Sequence, residues 1–309
     1  TALRARIHPF ILRRTKDQVA GDLPEKTEQV LAVELTPAHR RAYEQRLSRE
    51  RQKVMGLLED DSTQARFIAL KSLTTLRLMA LDPALVMDAD GDATDGVGGA
   101  DGNGAGAPTR EGEGAGGRRR KPTAKVQVLL DQLRPVVAEG HKALVFSQFT
   151  RYLSGVREEL DAAGMRTAYL DGTTSNRQAV IDSFRSGEAD LFLISLKAGG
   201  FGLTLTEADY VFLLDPWWNP QAEEQAVDRA HRIGQDKPVM VYRLVATDTI
   251  EEKVLALAAR TLPAPVLTQA QTRSLSVQRR LPWLIPAAAL TGLTLLSLLG
   301  WAVWRALSG

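Results

Sequence analysis

Five short apolar runs, separated by segments with amphipathic helical spacing, constrain the fold of this 309-residue chain more than any other feature. The runs occupy residues 143–146, 167–170, 191–194, 211–214 and 239–245. Successive runs begin about 20 to 29 residues apart, which leaves room for one helix between two strands. Such alternation predicts βα units around a parallel sheet and therefore an α/β fold.

Residues near helix ends support the same prediction. Gly187 stands where a helix C-cap is expected, because glycine adopts the left-handed conformation without a steric penalty. A capping box is indicated by Asp248 or Thr249 followed by Glu251 and Glu252. We therefore expect the last helix of the α/β region to begin at these residues.

Residues 36–85, before the α/β region, have helical spacing, with apolar side chains at Phe67, Leu70, Leu73 and Leu76. Eleven of the 25 glycines then lie between residues 91 and 117, and a basic cluster follows at 118–121. This composition predicts a flexible linker, with the basic cluster solvated. A phosphate contact is the alternative for that cluster.

The carboxy-terminal segment 281–304 contains 24 residues without a charge. As a helix it is about 36 Å long, against about 30 Å for the hydrocarbon core of a bilayer. Its tryptophans, Trp283, Trp301 and Trp304, lie near the two ends, as in interfacial belts. We expect a transmembrane helix, with the preceding domain in the cytoplasm. A buried helix, or a tail foreign to the domain, remains the alternative.

Several classes of site are excluded by the sequence. The chain has no cysteine, so disulfide scaffolds, thiolate zinc sites and cysteine nucleophiles are ruled out. No G-x-x-x-x-G-K-[S/T] occurs, and therefore no Walker A loop is encoded. The net charge of +2 does not by itself indicate a polyanion partner. A self-sufficient nucleotide hydrolase is not expected from these residues.

One predicted helix, residues 225–235, carries a distinctive set of polar side chains. At helical spacing, Gln225, Arg229 and Arg232 share one face. An apolar stripe lies about a quarter-turn away and contains Ala222, Ala226, Ala230 and Ile233. Two guanidiniums one turn apart can approach a triphosphate together. The alternative is a solvated helix in which carboxylates at 223, 224 and 228 pair with the arginines.

Five motifs follow one another in the α/β region: HKALVFSQF at 141–149, YLDGT at 169–173, ISLKAGGFGLTL at 194–205, DPWWNP at 215–220 and QAVDRAHRIGQ at 225–235. Upstream lie PFILRRTK at 9–16, LPEKT at 23–27, LR at 76–77 and DPAL at 82–85. In this order the motifs resemble the second RecA-like lobe of the Swi/Snf family of helicase-like, ATP-dependent DNA translocases, preceded by the end of the first lobe. The resemblance implies a RecA-like parallel sheet flanked by helices, with an N-terminal helical insertion; the apolar tail adds a C-terminal hydrophobic helix.

The resemblance also implies roles for individual residues. Arg229 and Arg232 act as arginine fingers on the γ-phosphate of ATP, with Gln225 beside them. Gly200 and Gly202 allow backbone N–H groups to approach phosphate closely and join the two arginines in the cofactor-binding set. Side chains expected to contact the backbone of one DNA strand are Ser147, Thr173, Lys197 and Thr204.

Two further features of these motifs are assigned less specific roles. Trp217 and Trp218 are expected to pack or shape a loop between the lobes, with base stacking as the alternative. His231 is expected to make a helix-face or interlobe contact.

The predicted domain organisation has six parts. They are the end of the first lobe and exit segment (1–35), the helical insertion (36–87), the flexible linker (88–124), the second RecA-like lobe (125–260), a further linker (261–280) and the candidate transmembrane helix (281–305).

The expected ligands are ATP and Mg²⁺, bound mainly by a first lobe, and double-stranded DNA. The expected partners are that first lobe and, through 281–304, a membrane; no structural metal is expected. The favoured function is the C-terminal lobe of a DNA-dependent ATPase that is inactive alone. A non-catalytic DNA- or protein-binding module, anchored to a membrane, is the alternative, and a Rossmann-like small-molecule binder is disfavoured because its fingerprint is absent.

Overall fold

The computed structural model describes residues 23–56, 62–86, 121–196, 198 and 203–261. Six strands and seven helices lie within these ranges. In chain order they are β1 (Lys26–Val33), α1 (Pro37–Met55), α2 (Thr63–Leu81), α3 (Ala124–Ala138), β2 (Ala143–Ser147), α4 (Thr150–Ala162), β3 (Thr167–Leu170), α5 (Arg177–Ser186), β4 (Leu191–Ser195), β5 (Tyr210–Leu213), α6 (Pro220–Val227), β6 (Val239–Ala246) and α7 (Ile250–Thr261).

The strands form one sheet in the order β1-β6-β5-β2-β4-β3, and every neighbouring pair is parallel. The five predicted apolar runs correspond to strands β2 to β6. The predicted α/β fold with a parallel sheet is therefore confirmed. All strands end at the same edge, which is where functional loops collect in open parallel sheets.

Strand β1 was not predicted, because residues 1–35 had been assigned to the end of the first lobe. It pairs with β6 from Lys26 opposite Val239 to Val33 opposite Ala246. Its side chains alternate between half-buried and exposed over the first half, as at the edge of a sheet. The polar sequence of that half lacks the continuous apolar run of an inner strand, so the run pattern missed it.

Each face of the sheet is covered by helices. On one face, α3 and α4 contribute Leu129, Leu133 and Leu153 to a core with Val145 and Leu193. On the other face, α5 and α6 pack against alternating residues of the same strands, including Leu144, Phe146, Phe192 and Ile194. Burying a side chain of this size stabilises the fold by about 1.5 to 3 kcal/mol. The strands are apolar on both faces for this reason.

The predicted helical insertion forms the antiparallel pair α1 and α2, which packs on α7 and the end of β6. Tyr43 is buried and its hydroxyl accepts a 2.8 Å hydrogen bond from Ile250 N, the first residue of α7. Leu76 packs with Val254 in the same contact. The predicted helical spacing is confirmed by α2, although two of the four apolar side chains, Phe67 and Leu70, are exposed.

The cap predictions hold at both positions. Gly187 caps α5 in the left-handed conformation with φ 88°. Thr249 Oγ1 accepts from Glu251 N, and Glu252 accepts from Asp248 N at 3.2 Å, at the beginning of α7. The Glu251 side chain is buried and does not cap the helix.

Four predicted segments lie wholly or mostly outside the described residues: 1–22 of the first-lobe end, with the motif at 9–16, the Gly-rich linker up to residue 120, the further linker from residue 262, and the apolar segment 281–305. Among the helices that the structure does describe, none is both long and apolar enough to span a bilayer.

Candidate nucleotide and DNA site

The predicted helix at 225–235 is shorter in the structure, because α6 ends at Val227. Residues 228–235, here called the arginine loop, continue in turns, with Ala230 N bonded to Val227 O at 3.0 Å. Gly234 has φ 100°, which an uninterrupted helix does not contain. The prediction that Arg229 and Arg232 share a helix face is therefore wrong. Turn geometry, not helical periodicity, determines where they lie.

Backbone contacts and one glutamine hold the arginine loop in place. Leu205 N donates to Arg229 O at 2.9 Å, which joins the loop to the end of the glycine-containing motif. Gln235 is buried, and its side-chain amide donates to Ala208 O at 2.8 Å and to Ala230 O at 3.1 Å. These bonds fix the main chain on both sides of the arginines.

The positive charges of two other arginines act on the Arg229 guanidinium. Arg229 is 9% exposed. Its burial and the positive charges of Arg177 and Arg232 lower its pKa. Arg177, at the start of α5, donates to the carbonyl of Ala198. Three guanidiniums near one another give a local positive potential that suits a polyphosphate.

The other members of the predicted catalytic set are accessible. Gln225 and Arg232 are exposed, and Ile233, predicted to lie in the apolar stripe, is 75% exposed. His231 is half-buried and its Nε2 lies 2.9 Å from Pro24 O. Pro24 precedes β1, in the segment expected to leave the first lobe. This bond joins the arginine loop to the residues before β1, and the helix-face or interlobe contact expected for His231 stays a prediction.

The predicted DNA contacts differ in accessibility. Ser147 is fully buried, and its Oγ accepts from Phe149 N at 3.1 Å at the beginning of α4. This hydroxyl therefore stabilises the turn after β2, and its contact with DNA remains a prediction. The resemblance identified the motif, but burial at the end of an inner strand could not be read from it.

Thr173 and Thr204 lie nearer the surface. Thr173 is exposed in the loop after β3, where its hydroxyl donates to Asp171 Oδ1 at 2.7 Å. Although partial burial acts in the opposite direction, hydrogen bonds from Thr173 and Thr174 lower the pKa of Asp171. Thr204 is half-buried, and its carbonyl accepts from Arg185 at 2.7 Å. Lys197, Gly200 and Gly202 lie outside the described residues, and their assigned contacts remain predictions.

Residues 214–219, here called the double-tryptophan loop, follow β5. Asp215 is 2% exposed and accepts hydrogen bonds from the backbone N of Gln148 at 3.3 Å and from its side-chain Nε2 at 2.5 Å. Trp217 and Trp218 stack with ring centroids 6.2 Å apart. The carboxylate of Asp215 thereby connects the loop after β5 to the loop after β2.

Arg77 from the insertion helix α2 reaches this loop. It is 6% exposed, and its Nη2 donates to Pro216 O at 2.6 Å and lies 3.6 Å from Asp215 Oδ2. Its guanidinium lies 5.4 Å from the ring centroid of Phe149 and 5.9 Å from that of Trp217. The insertion is therefore in direct contact with the most distinctive motif of the sequence.

A second set of charged side chains supports the loop. Glu223 is buried, and its carboxylate accepts from Trp217 N at 2.7 Å and from Arg243 Nε at 2.9 Å. Arg243 Nη1 lies 2.6 Å from Glu28 Oε2 on the edge strand. Burial acts to lower the pKa of Arg243, but the carboxylates of Glu223 and Glu28 outweigh this effect and raise the pKa. Strand β1 thus contributes to the position of Trp217.

A buried ion pair lies where the loop begins. Lys125 Nζ donates to Glu251 Oε2 at 2.6 Å, to Leu214 O at 2.7 Å and to Leu244 O at 3.1 Å. Both charged side chains are at most 1% exposed. Burial raises the pKa of Glu251, although Lys125 acts in the opposite direction. The ion pair joins the ends of β5 and β6.

Sequence reasoning missed the supporting roles of Lys125, Glu223 and Arg243, and it assigned Arg77 no contact. Several of the partners are distant in the chain: 126 residues separate Lys125 from Glu251, 215 separate Arg243 from Glu28, and 139 separate Arg77 from Pro216. The available signal was a charged residue inside an apolar pattern, as Arg243 is within 239–245. Such a residue in a buried strand requires a partner.

Comparison with known proteins agrees with this architecture. A model of the SNF2-related domain matches residues 1–85, and a model of the helicase conserved C-terminal domain matches residues 124–234. The protein CHROMATIN REMODELING 24 of Arabidopsis thaliana is 34% identical over 278 residues, which cover 82% of this chain and 24% of that protein. The chain thus spans about a quarter of this relative's length.

Two solved structures share the fold. The Sulfolobus solfataricus SWI2/SNF2 ATPase core in complex with double-stranded DNA is 27% identical, with a TM-score of 0.57, covering 84% of this chain and 49% of that one. The C-terminal part of the Fun30 ATPase domain has a TM-score of 0.56 at 22% identity, covering 82% of this chain and 95% of that one. With the parallel sheet and the motif order, these matches show that the chain belongs to the Snf2 family of helicase-like ATPases and carries its SNF2-related and helicase conserved C-terminal domains.

Proposed function

We propose that this chain forms the C-terminal lobe of a DNA-dependent ATPase or translocase and supplies Arg229 and Arg232 to ATP held by a first RecA-like lobe. The observation that supports this most directly is the positive charge of Arg177 and Arg232 around the buried Arg229 guanidinium. Cations repel one another, and a bound polyphosphate removes that repulsion. In the proposal Gln225 lies beside the phosphate as a polar contact.

The arginines act on charge that develops during phosphoryl transfer. A guanidinium keeps its charge when buried and donates in a fork that matches phosphate oxygens. Such an arginine is worth about a thousandfold or more in rate in other phosphoryl-transfer enzymes. The bonds that hold the arginine loop, from Leu205 N and the Gln235 side chain, keep the main chain fixed for that purpose.

DNA contact is assigned to the carboxyl edge of the sheet. Thr173 is exposed there, and Lys197 and Thr204 belong to the motif that ends at the arginine loop. Contacts from such side chains go to the phosphate backbone and position the protein without reading sequence. One solved relative is described as a complex with double-stranded DNA. Movement of the two lobes between states that hold DNA differently would convert ATP hydrolysis into translocation along DNA.

The first lobe completes the site in this proposal. It supplies the Walker A loop, which this sequence lacks, and the ligands of Mg²⁺. Among the residues that the structure describes, no group of three or more His, Asp or Glu side chains could hold a metal ion. We keep the six domain boundaries predicted from the sequence, with one change: strand β1 at Lys26–Val33 belongs to the sheet of the second lobe.

The proposal is tested by measuring ATP hydrolysis by the full chain alone, by a first lobe of an Snf2-family ATPase alone, and by the two mixed, each with and without double-stranded DNA. We expect turnover only in the mixture, and stimulation by DNA. Binding of the two lobes is checked by sedimentation. A complex that forms but hydrolyses no ATP would contradict the proposal and favour a non-catalytic binding module.

A further inference from the structure

The double-tryptophan loop presents one exposed ring from a buried support. Trp218 is 45% exposed, whereas Asp215, two residues after the strand end, is buried. Trp217 lies between them and stacks on Trp218 with an angle of 23° between the ring planes. Whatever fixes Trp217 therefore fixes the direction in which the Trp218 ring faces solvent.

Arg77 is the contact that reaches this loop from outside the α/β region. Its guanidinium lies over both the Phe149 and the Trp217 rings, and it donates to the carbonyl of Pro216. Contacts of a guanidinium with aromatic faces have a defined geometry, which an ammonium group does not reproduce. The side chain thus touches the loop at its main chain and at its first ring.

We propose that Arg77 is a positioning residue through which the helical insertion sets the orientation of the double-tryptophan loop. Neutralising Asp215 is not its main role, because the Arg77 to Asp215 distance of 3.6 Å is longer than the 2.5 Å contact from Gln148 Nε2 to the same oxygen. The shortest contact of Arg77 is the 2.6 Å bond to Pro216 O.

A consequence for activity follows, and this part rests on the proposed function. The loop follows β5 at the carboxyl edge of the sheet, the edge to which DNA contact is assigned. A change in its orientation therefore reduces DNA-stimulated hydrolysis while hydrolysis without DNA is retained. We expect R77M and R77K to lower the stimulated rate by about tenfold or more, since a misplacement of about 1 Å can cost about a hundredfold.

The loop orientation is measured directly by near-UV circular dichroism of the full chain, without ATP or DNA. The Trp218 signal is the difference between each protein and the same protein carrying W218F. We expect R77M and R77K to reduce this difference by about half or more, because the ring loses its fixed asymmetric surroundings. S72A is the matched control, since Ser72 is buried on α2 and bonds Glu50 at 2.7 Å, away from the loop. S72A is expected to preserve the signal.

The outcomes separate this inference from the proposed function. An unchanged Trp218 signal in folded R77K, or full rescue of stimulation by R77K, overturns the positioning role. If R77M fails to fold, R77K and F149L are used for the test instead. Both variants keep a positive charge at position 77. Absence of DNA-stimulated turnover in the unsubstituted complex counts against the proposed function, while the dichroism measurement still tests Arg77.

Discussion

The double-tryptophan loop and the arginine loop lie on either side of α6, between β5 and β6, but are held differently. Side chains from several elements hold the tryptophan loop: Arg77 from α2, Lys125 from α3, Gln148 after β2 and Glu223 from α6. The arginine loop is held mainly by main-chain bonds and Gln235. The buried charges beside the tryptophan loop are paired, whereas Arg229 of the arginine loop lies in the positive field of Arg177 and Arg232.

This difference indicates that the two loops have different roles. A loop whose buried charges are paired has one preferred arrangement, because breaking any pair leaves an uncompensated charge. A loop with clustered arginines gains most when a polyanion binds. We therefore expect substitutions near the tryptophan loop to change stability, and substitutions of the arginines to change catalysis.

The largest stability effect is expected for K125M, which removes the cation between the ends of β5 and β6. The buried Glu251 carboxylate then lacks its partner, and we expect a loss of about 3 to 5 kcal/mol in the free energy of unfolding. The loss should shrink as pH falls, because burial raises the pKa of Glu251 and protonation removes its charge. Urea unfolding at several pH values measures both effects.

Two controls accompany K125M. K237M removes a lysine that is 55% exposed, and it should change stability by less than about 1 kcal/mol. The double variant K125M/E251M should recover most of the loss, since two apolar side chains replace the pair. A K125M chain as stable as the original would show that the buried pair does not hold the tryptophan loop.

A smaller effect is expected for Q235A on the arginine-loop side. The substitution leaves Ala208 O and Ala230 O without the Gln235 amide, and we expect about 1 to 3 kcal/mol of destabilisation. Hydrogen exchange at 228–235 should also become faster, while exchange at 214–219 stays the same. Q127A, at an exposed position on α3, is the control. Equal acceleration of both loops would contradict their separate support.

The charge chain from the edge strand should respond to acid. Burial acts to raise the pKa of Glu28, but the positive charges of Arg243 and Lys26 outweigh this effect and lower the pKa. A lowered pKa gives stability that is present above the ordinary glutamate value of about 4.3 and is lost as pH falls below it. E28Q should therefore cost at most about 1 kcal/mol near neutral pH and flatten the acid dependence of stability. An unchanged acid slope in urea titrations would exclude this role.

The smallest effects are expected for two hydroxyls of the predicted DNA set. S147A should leave DNA affinity within about twofold, because Ser147 is buried, and T173V should weaken binding by about threefold through one lost hydrogen bond. Fluorescence anisotropy with labelled double-stranded DNA at fixed salt distinguishes them. Weaker binding for S147A than for T173V would mean that the loop after β2 opens on DNA.

Sequence pattern was sufficient for the inner strands of the sheet. Strands buried on both faces read as short apolar runs, so β4, predicted over 191–194, is observed at Leu191–Ser195 with every residue buried. The edge strand β1 lacks such a run. The end of α6 was missed because helical spacing continues through 235, while the turns at 228–230 are set by tertiary contacts such as Leu205 N to Arg229 O.

The side-chain network of the site could be predicted only in part. The motifs placed Arg229, Arg232 and the tryptophans in one region, and the resemblance gave them roles. Pairing of Lys125 with Glu251, or of Arg77 with Pro216, joins residues more than 120 positions apart. Local periodicity carries no information about such contacts. Glu251 was expected to cap a helix, and its burial appeared only with the fold.

The most direct test is the turnover number of the two-lobe complex, with saturating ATP and double-stranded DNA, for the original chain, R229A and R229K. R134A, at a position with a 60% exposed side chain on α3, is the control. We expect R229A and R229K to lose about a thousandfold or more while the complex still assembles and R134A is unaffected. Turnover by R229A within about threefold of the original would contradict the assignment of Arg229 to the nucleotide, because a change that small equals less than about 1 kcal/mol.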